Sequence, residues 1–154
     1  MVRIVVFLVL LIAGTVNAQI KTDEQAVVKK TIETFFEGFH KGDTLLMKST
    51  MLDKFTTQTA FKNREGKDVL VTENSSKLIK AIAERPESQK WDERLLDFKI
   101  QIDGNMANVW TPYEFWFNGN FSHCGVNSFQ LFKDNGIWKI IYLIDTRRKA
   151  GCNQ

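Results

Sequence analysis

Three long runs of strand-forming residues between Ala107 and Arg148 constrain the fold more than any other part of the chain. Asn118-Gly119 and Asn135-Gly136 separate these runs, and Asn-Gly pairs between strands are typical of two-residue hairpin turns. A further run, in which apolar residues alternate with polar ones over 96–102, ends at Asp103-Gly104. We therefore predict a four-stranded antiparallel meander in the C-terminal half of the chain.

The residues that precede the meander predict a long amphipathic helix. Thr22 and Gln25 form a capping-box pattern, and Gly42 suits the left-handed residue that ends a helix. Asp43 can then cap a short second helix. The buried stripe of the first helix is expected to consist of Val28, Ile32, Phe35, Phe36 and Phe39.

Two short strands and a third helix are predicted between these helices and the meander. The strands cover 55–61 and 68–73 and are separated by a polar turn. Asn74 or Ser75 can cap the helix, which ends before Pro86. This order predicts an α+β domain in which the helices pack on one face of a single sheet.

The first eighteen residues have the pattern of a secretory signal peptide. Arg3 precedes the apolar run Ile4–Ala13, and small residues at 16–18 predict cleavage after Ala18. The apolar run is shorter than the ~20 residues of a membrane-spanning helix. We therefore expect residues 19–154 to form one exported domain, periplasmic or secreted, without stable membrane insertion after cleavage.

Charge and motif content argue against several classes of partner. Removing Arg3 with the leader lowers the formal net charge from +3 to about +2, which is too small to predict nucleic-acid binding. His40 and His123 are the two histidines, and no spacing in the chain matches a zinc site. His40 is expected at the exposed end of the first helix. We predict no metal and no cofactor, and the sequence also lacks phosphate-loop and nucleophile-elbow motifs.

Cys124 and Cys152 are the two cysteines of the chain. In an exported protein they are expected to form a disulfide, with two unpaired thiols as the alternative. The C-terminal segment would have to fold back at Ala150-Gly151, which glycine permits.

The strand pairing of the last hairpin follows from its turn. A two-residue turn at Asn135-Gly136 puts Asp134 opposite Ile137, and regular pairing then puts Leu131 opposite Ile140, Phe129 opposite Tyr142 and His123 opposite Arg148. One face would carry His123, Asn127, Phe129, Leu131, Trp138, Ile140, Tyr142 and Ile144. The other would carry Cys124, Val126, Gln130, Phe132, Ile141, Leu143, Asp145 and Arg147. Both faces are substantially apolar, and the helices can cover one, so we predict a homodimer through the sheet.

The preceding hairpin allows two arrangements of its faces. A two-residue turn at Asn118-Gly119 places Glu114 opposite His123, with Trp110 and Trp116 on the same face. A three-residue turn would replace them with Tyr113, Phe115 and Phe117. Pro112 cannot donate to a strand ladder, so a bulge or bend is expected there.

The element order resembles that of the nuclear transport factor 2-like superfamily. The first helix closes with Gly42-Asp43, and the last hairpin carries the block Asp134–Ile141. The blocks Thr111–Phe115, Ser122–Phe129 and Asp145–Arg148 resemble an exported bacterial branch that is lumazine-binding-like and related to the SnoaL-like polyketide cyclases. The resemblance implies a cone-shaped, curved antiparallel sheet around a pocket. This fold carries isomerases, dehydratases, cyclases, epoxide hydrolases and binding modules, so it does not determine function.

Two polar groups are the candidates for chemistry. His123 beside Glu114 would suit a general base or a ligand contact, and the alternative is a structural histidine between strands. Asp145 with Arg147 and Arg148 would form an anion clamp, or a strand-end ion pair on the surface. The candidate catalytic residues are therefore His123, Glu114 and Asp145.

Aromatic residues near these groups predict a pocket for a small organic ligand. Trp110, Tyr113, Trp116 and Trp138 can form an aromatic box for a flat molecule, or can belong to the core. The predicted ligand-binding residues are Trp110, Tyr113, Glu114, Trp116, His123, Asn127, Trp138 and Arg147.

Three functions fit this pattern. The first is an exported small-molecule-binding protein with an aromatic-lined cavity. The second is a hydrolase, isomerase or cyclase-type enzyme that uses His123 with a carboxylate. The third is a dimeric interaction module without a ligand.

Overall fold

The structure is a computed structural model that describes residues 24–152, without the side chain of Lys54. The predicted signal peptide and Thr22 of the capping box lie outside the described residues. Three helices are present in this part of the chain: α1 over 24–41, α2 over Thr44–Ser49 and α3 over Ser75–Ala83. The strands are β1 Met51–Lys62, β2 Asp68–Asn74, β3 Trp91–Leu95, β4 Lys99–Asp103, β5 Met106–Phe117, β6 Asn120–Asp134 and β7 Ile137–Arg147.

The seven strands form one sheet with the order β2-β1-β7-β6-β5-β3, and β4 also pairs with β5. The predicted meander is confirmed as β4, β5, β6 and β7, all antiparallel. The early hairpin β1–β2 joins the sheet through a parallel pairing of β1 with β7, so the sheet is mixed rather than wholly antiparallel. The predicted α+β class, with helices on one face of a curved sheet, is confirmed.

The core lies between the helices and one face of the sheet. The predicted stripe of α1, from Val28 to Phe39, is buried. It packs with Phe129, Leu131 and Ile140 of the sheet in one apolar cluster. The ring centroids of Phe35 and Phe129 are 6.2 Å apart in an edge-to-face arrangement. Burial of each such side chain stabilises the folded state by roughly 1.5–3 kcal/mol. These contacts hold α1 against the sheet.

The predicted helix ends are present. Gly42 has a φ of 75°, as expected for the residue that closes α1. The Asp43 carboxylate accepts hydrogen bonds from the amides of Leu45 and Leu46 at the start of α2. Asn74 caps α3 by accepting from the amide of Lys77. Within residues 24–152, no helix is both long enough and apolar enough to cross a membrane.

The pairing of β6 with β7 agrees with the prediction near the turn and departs from it beyond Leu131. Asp134 lies opposite Ile137 and Leu131 opposite Ile140, as expected. A bulge then shifts the pairing, so that Phe129 faces Leu143 rather than Tyr142. Likewise Arg148 lies opposite Cys124 and not opposite His123. Because one extra residue reverses the alternation of side chains, the predicted faces of this half of β7 were wrong.

This bulge determines which charged residues face the helices. Leu143 and Asp145, expected on the face away from His123, are buried together with Asn127 and Phe129. Arg147 follows on the same side of β7. Tyr142 and Ile144 correspondingly belong to the opposite face.

A second bulge lies in the β5–β6 hairpin. Phe117 pairs with Asn120, so the two-residue turn at Asn118-Gly119 is confirmed. The pairing then shifts, and His123 lies opposite Phe115 instead of Glu114. The inward residues are Tyr113, Phe115 and Phe117, the set expected from the alternative arrangement, although a bulge rather than a longer turn produces it.

Pro112 lies where the sheet edge is interrupted. Leu95 pairs with Tyr113 and Lys99 pairs with Trp110, so three residues of the edge oppose two of β5. The amide of Leu96 donates to the Pro112 carbonyl at 2.9 Å. The irregularity expected at Pro112 therefore lies in the edge segment that pairs with β5, between Leu95 and Lys99. This irregularity separates β3 from β4.

The predicted disulfide between Cys124 and Cys152 is confirmed, with 5.9 Å between the two Cα atoms. It fastens the C-terminal segment to β6, and the backbones of Cys124 and Arg148 exchange two hydrogen bonds of 2.9 Å beside it.

Candidate functional site

A cavity of about 300 Å³ lies between α1, α3 and the helix-covered face of the sheet. This is at the small end of the usual range for ligand pockets. Its apolar wall consists of Phe35, Phe36, Phe39, Leu78, Trp91, Phe115, Phe117 and Leu143. Its polar wall consists of Glu93, His123, Asn127, Asp145 and Arg147.

Glu93 of β3 is a carboxyl group held within this largely apolar space. Its Oε1 accepts a hydrogen bond of 2.7 Å from the side-chain amide of Asn127. Burial raises the pKa of Glu93 to about 7, because the bond from Asn127 only partly offsets the loss of solvation, and the Asp145 charge adds to the effect. Glu93 can therefore gain or lose a proton near neutral pH.

The backbone of Glu93 is fastened to the end of α1. Its amide donates to Nε2 of His40 at 2.9 Å. Arg85 donates to the carbonyls of Phe39 and His40 at 3.1 and 2.9 Å. His40 is thus half-buried and structural, which corrects its expected place at an exposed helix end, and burial lowers its pKa.

Asp145 of β7 is the centre of a hydrogen-bond network. One carboxylate oxygen accepts from the Thr59 hydroxyl at 2.6 Å. The other accepts from the Tyr113 hydroxyl at 3.1 Å and from Nε of Arg147 at 2.8 Å. Burial, followed by the charge of Asp145, raises the pKa of Tyr113 well above its usual range, so Tyr113 remains a neutral donor. With three donors, Asp145 acts here as an anchor for its neighbours.

Arg147 is the partner that this network orients. Its Nη2 also donates to the Thr59 hydroxyl at 3.3 Å. Burial opposes the charged guanidinium, but the hydrogen bond and charge of Asp145 outweigh it and raise the pKa of Arg147 above its ordinary value. The side chain is 52% exposed, so a charged group at the cavity wall remains accessible.

His123 of β6 is a neutral group next to Arg147. Its ring stacks on Phe115 with centroids 5.0 Å apart and meets Tyr113 edge-on at 5.9 Å. Its Nδ1 shares a hydrogen bond of 3.0 Å with the Ser122 hydroxyl. Burial, followed by the positive charge of Arg147, lowers the pKa of His123 to about 4. The imidazole is therefore uncharged at neutral pH.

A larger open groove of about 1230 Å³ adjoins the cavity. It lies between the β1–β2 hairpin and the C-terminal segment. His123 and Arg147 line both the groove and the cavity. The basic residues of the groove are Lys62, Arg64, Arg147, Arg148 and Lys149.

The structure brings four of the predicted site residues together at the cavity: His123, Asn127, Asp145 and Arg147. Tyr113 lies behind them, buried and bonded to Asp145.

Other predicted site residues lie elsewhere. Glu114 and Trp116 are on the outer face, where the indole Nε1 donates to Glu114 at 3.2 Å. Trp110 is 46% exposed and likewise does not line the cavity. The face of β5 that was predicted to line the cavity was wrong because of the bulge beside Phe115. Trp138 belongs to the core, and its indole donates to Glu24 of α1 at 2.8 Å.

Sequence reasoning missed Glu93 and Trp91 as cavity residues. Both lie on β3, which was not predicted as a separate strand. Glu93 stands in a polar stretch, and its contacts with His40 and Asn127 span 53 and 34 residues. No local pattern indicates such contacts. Within the described part of the chain, no three His, Cys, Asp or Glu side chains group together in a way that could hold a metal ion.

Comparisons with known proteins identify the fold. No family profile matches the sequence, and no curated protein matches it. Solved structures do match: a nuclear transport factor 2-like superfamily protein of Salmonella enterica serovar Typhimurium superposes with a TM-score of 0.66 at 17% identity, covering 87% of this chain and 98% of the other. A nuclear transport factor 2-like protein of Cytophaga hutchinsonii has a TM-score of 0.64 at 13% identity, covering 80% and 98%.

A third similar structure is a member of the same family from Streptomyces avermitilis, provisionally assigned as a dehydratase. Its TM-score is 0.65 at 13% identity, with 84% of this chain and 99% of the other covered. The chain therefore has the nuclear transport factor 2-like fold. The closer resemblance to the lumazine-binding-like and SnoaL-like branch stays a prediction.

Proposed function

We propose that this chain is an exported protein that binds a small, ring-containing organic molecule in the cavity beneath α1. The observation that carries the proposal is an aromatic-walled space of about 300 Å³ whose polar residues all belong to strands, whereas its helical residues are all apolar. Ligand pockets commonly combine an apolar lining with a few convergent polar groups. The N-terminal leader pattern and the Cys124–Cys152 disulfide support export.

Filling the cavity tests this proposal. Leu78 of α3 is half-buried and lines the space. Native mass spectrometry of the purified protein and calorimetric titration with 2-naphthol would measure occupancy. We expect Leu78→Phe to weaken binding about tenfold or more, since the added ring takes up ligand volume. Leu45→Phe is the matched control, because Leu45 is 78% exposed on α2. Unchanged binding by Leu78→Phe would place the ligand elsewhere.

An enzyme that transfers protons is the second candidate, and Glu93 is the observation in its favour. A carboxyl group with a pKa of about 7 in an apolar cavity suits general acid–base catalysis at neutral pH. The provisional dehydratase assignment of the Streptomyces avermitilis protein is in keeping with this chemistry. In such an enzyme, Glu93 would be the acid–base group and neutral His123 would orient the substrate.

Turnover distinguishes the two candidates. An enzyme would convert a bound hydroxy or carbonyl compound, and Glu93→Gln would abolish that conversion while leaving binding within a few-fold. A binding protein would return its ligand unchanged, with or without the substitution.

A further inference from the structure

The cavity and the basic groove meet at His123 and Arg147, which line both spaces. A molecule seated in the cavity therefore has its outer end next to the groove. Most of the aromatic residues lie on the inner side of this junction, and Phe61 lies in the groove. Most of the positive charge lies on the outer side.

The acidic residues of the groove are already engaged. Asp68 pairs with Lys62 at 2.6 Å, and Glu73 pairs with Lys77 at 2.5 Å. By contrast, Arg64, Arg148 and Lys149 form no ion pair with any residue in the range 24–152. The groove therefore has an excess of positive charge.

Two features hold the basic groups nearest the cavity in place. Arg147 is oriented through Nε by Asp145 and through Nη2 by Thr59, while its Nη1 has no hydrogen-bond partner within the described residues. Arg148 exchanges backbone hydrogen bonds with Cys124 beside the disulfide. The Arg147 guanidinium, held through Nε and Nη2, suits a carboxylate, because less side-chain freedom is lost on binding.

The inner wall disfavours an anion. Glu93 and Asp145 are both carboxyl groups, and they face the cavity together with the amide of Asn127. A carboxylate in the cavity would meet the charge of Asp145 and, above pH 7, that of Glu93, whereas a hydroxyl or amide donor would find acceptors there. The distribution of charge therefore gives a bound molecule a preferred orientation.

We propose that the ligand is an amphipathic organic carboxylate, with its ring body among the cavity aromatics and its carboxylate at the mouth, against Arg147, Arg148 and Lys149. This inference rests on the proposed binding function and adds the chemical class and the orientation of the ligand.

Two probes of equal shape test the inference: 2-naphthoate and its neutral analogue 2-naphthamide. Trp91 lines the cavity, so its fluorescence reports occupancy, and Trp91→Phe identifies its share of the signal. At pH 8 and low salt we expect naphthoate to bind about tenfold or more tightly than naphthamide, the size of a charge-assisted contact. The double variant Arg148→Gln/Lys149→Gln should reduce that preference several-fold, with Arg147 supplying the rest, and should weaken naphthamide binding much less.

The control removes the same charge elsewhere. Lys30→Gln/Lys99→Gln neutralises two exposed lysines outside the groove and should keep the preference for naphthoate. Equal affinity for the two probes would overturn the inference and leave cavity binding standing. An undiminished preference in Arg148→Gln/Lys149→Gln would also overturn it. Failure of both probes to bind would count against the proposed function itself.

Discussion

Glu93 shows how much the chemistry of one residue depends on contacts far away in the sequence. His40 holds its backbone, and Asn127 contacts its carboxyl group. Neither contact solvates a negative charge as well as water does. The carboxyl group therefore favours its protonated form in the folded protein, and this affects stability.

The first prediction concerns the pH dependence of that stability. The folded pKa of Glu93, about 7, lies above the ordinary value of 4.5, so the folded state holds the proton more tightly. The contribution of Glu93 to the free energy of unfolding is favourable at low pH and is lost as the pH rises from 4.5 to 7. Glu93→Gln should therefore be more stable than the parent at pH 8 by about 2–3 kcal/mol, and equal to it near pH 4.5. Urea unfolding at both pH values measures this, and a constant difference would contradict it.

The second prediction concerns His123, whose shift has the opposite sign. Its folded pKa of about 4 lies below the ordinary 6.5, so the unfolded chain binds the proton first. Its contribution is present above pH 6.5 and is lost as the pH falls towards 4. An NMR titration should show the His123 ring neutral at pH 5.5, and His123→Gln should lose less stability than the parent between pH 6.5 and 4. A midpoint near 6.5 would show that the ring is solvated like a free histidine.

At the scale of elements, the C-terminal segment is held to β6 by one covalent bond. Because 28 residues separate Cys124 from Cys152, removing the bridge should cost about 3–4 kcal/mol by the loop-entropy relation. Cys152→Ser should lower the urea midpoint by the corresponding amount, and the reduced parent should match the variant. Two free thiols per chain in a denaturing, non-reducing titration would disprove the bridge.

Most of the elements, β3 excepted, could be predicted from the sequence, because their signals are local. The helix stripe from Val28 to Phe39, the caps at Gly42 and Asp43, and the Asn-Gly turns all depend on neighbouring residues. The parallel pairing of β1 with β7 could not be predicted, since it joins strands with about half the chain between them.

The candidate site was harder to predict, because two bulges decide which side chains face it. Each bulge inserts one residue and reverses the alternation of side chains beyond it. The bulge beside Leu131 brought Asp145 and Arg147 to the side of His123, and the one beside Phe115 removed Glu114 from it. No composition signal in either strand indicates the extra residue. A prediction can therefore name many of the site residues correctly and still assign them to the wrong face of the sheet.

At the scale of the whole molecule, apolar side chains remain exposed on the outer face of the sheet, which the C-terminal segment covers only beside Cys124. Met106 and Trp110 are 51% and 46% exposed there, next to half-buried Val126 and Phe132. Leu143, which was expected on this face, is buried under the helices instead. The remaining apolar surface still motivates the proposal of a homodimer through the sheet.

Light scattering tests the proposed dimer. We expect a dimer mass at high micromolar concentration and a monomer mass for Phe132→Glu, because a charge in the contact would remain unpaired. Leu45→Glu introduces the same charge on an exposed residue of α2 and should leave the dimer intact. A parent protein that is monomeric at this concentration would rule out the sheet interface.

The strand order has a consequence for how the chain is made. β7 lies between β1 and β6 in the sheet, yet it follows all the other described strands along the chain. During synthesis the early hairpin and the meander have no common partner until β7 emerges, so the sheet cannot close on a growing chain. The two halves of the sheet therefore stay unjoined until β7 has emerged, and Cys124 can meet Cys152 only after β7 is in place.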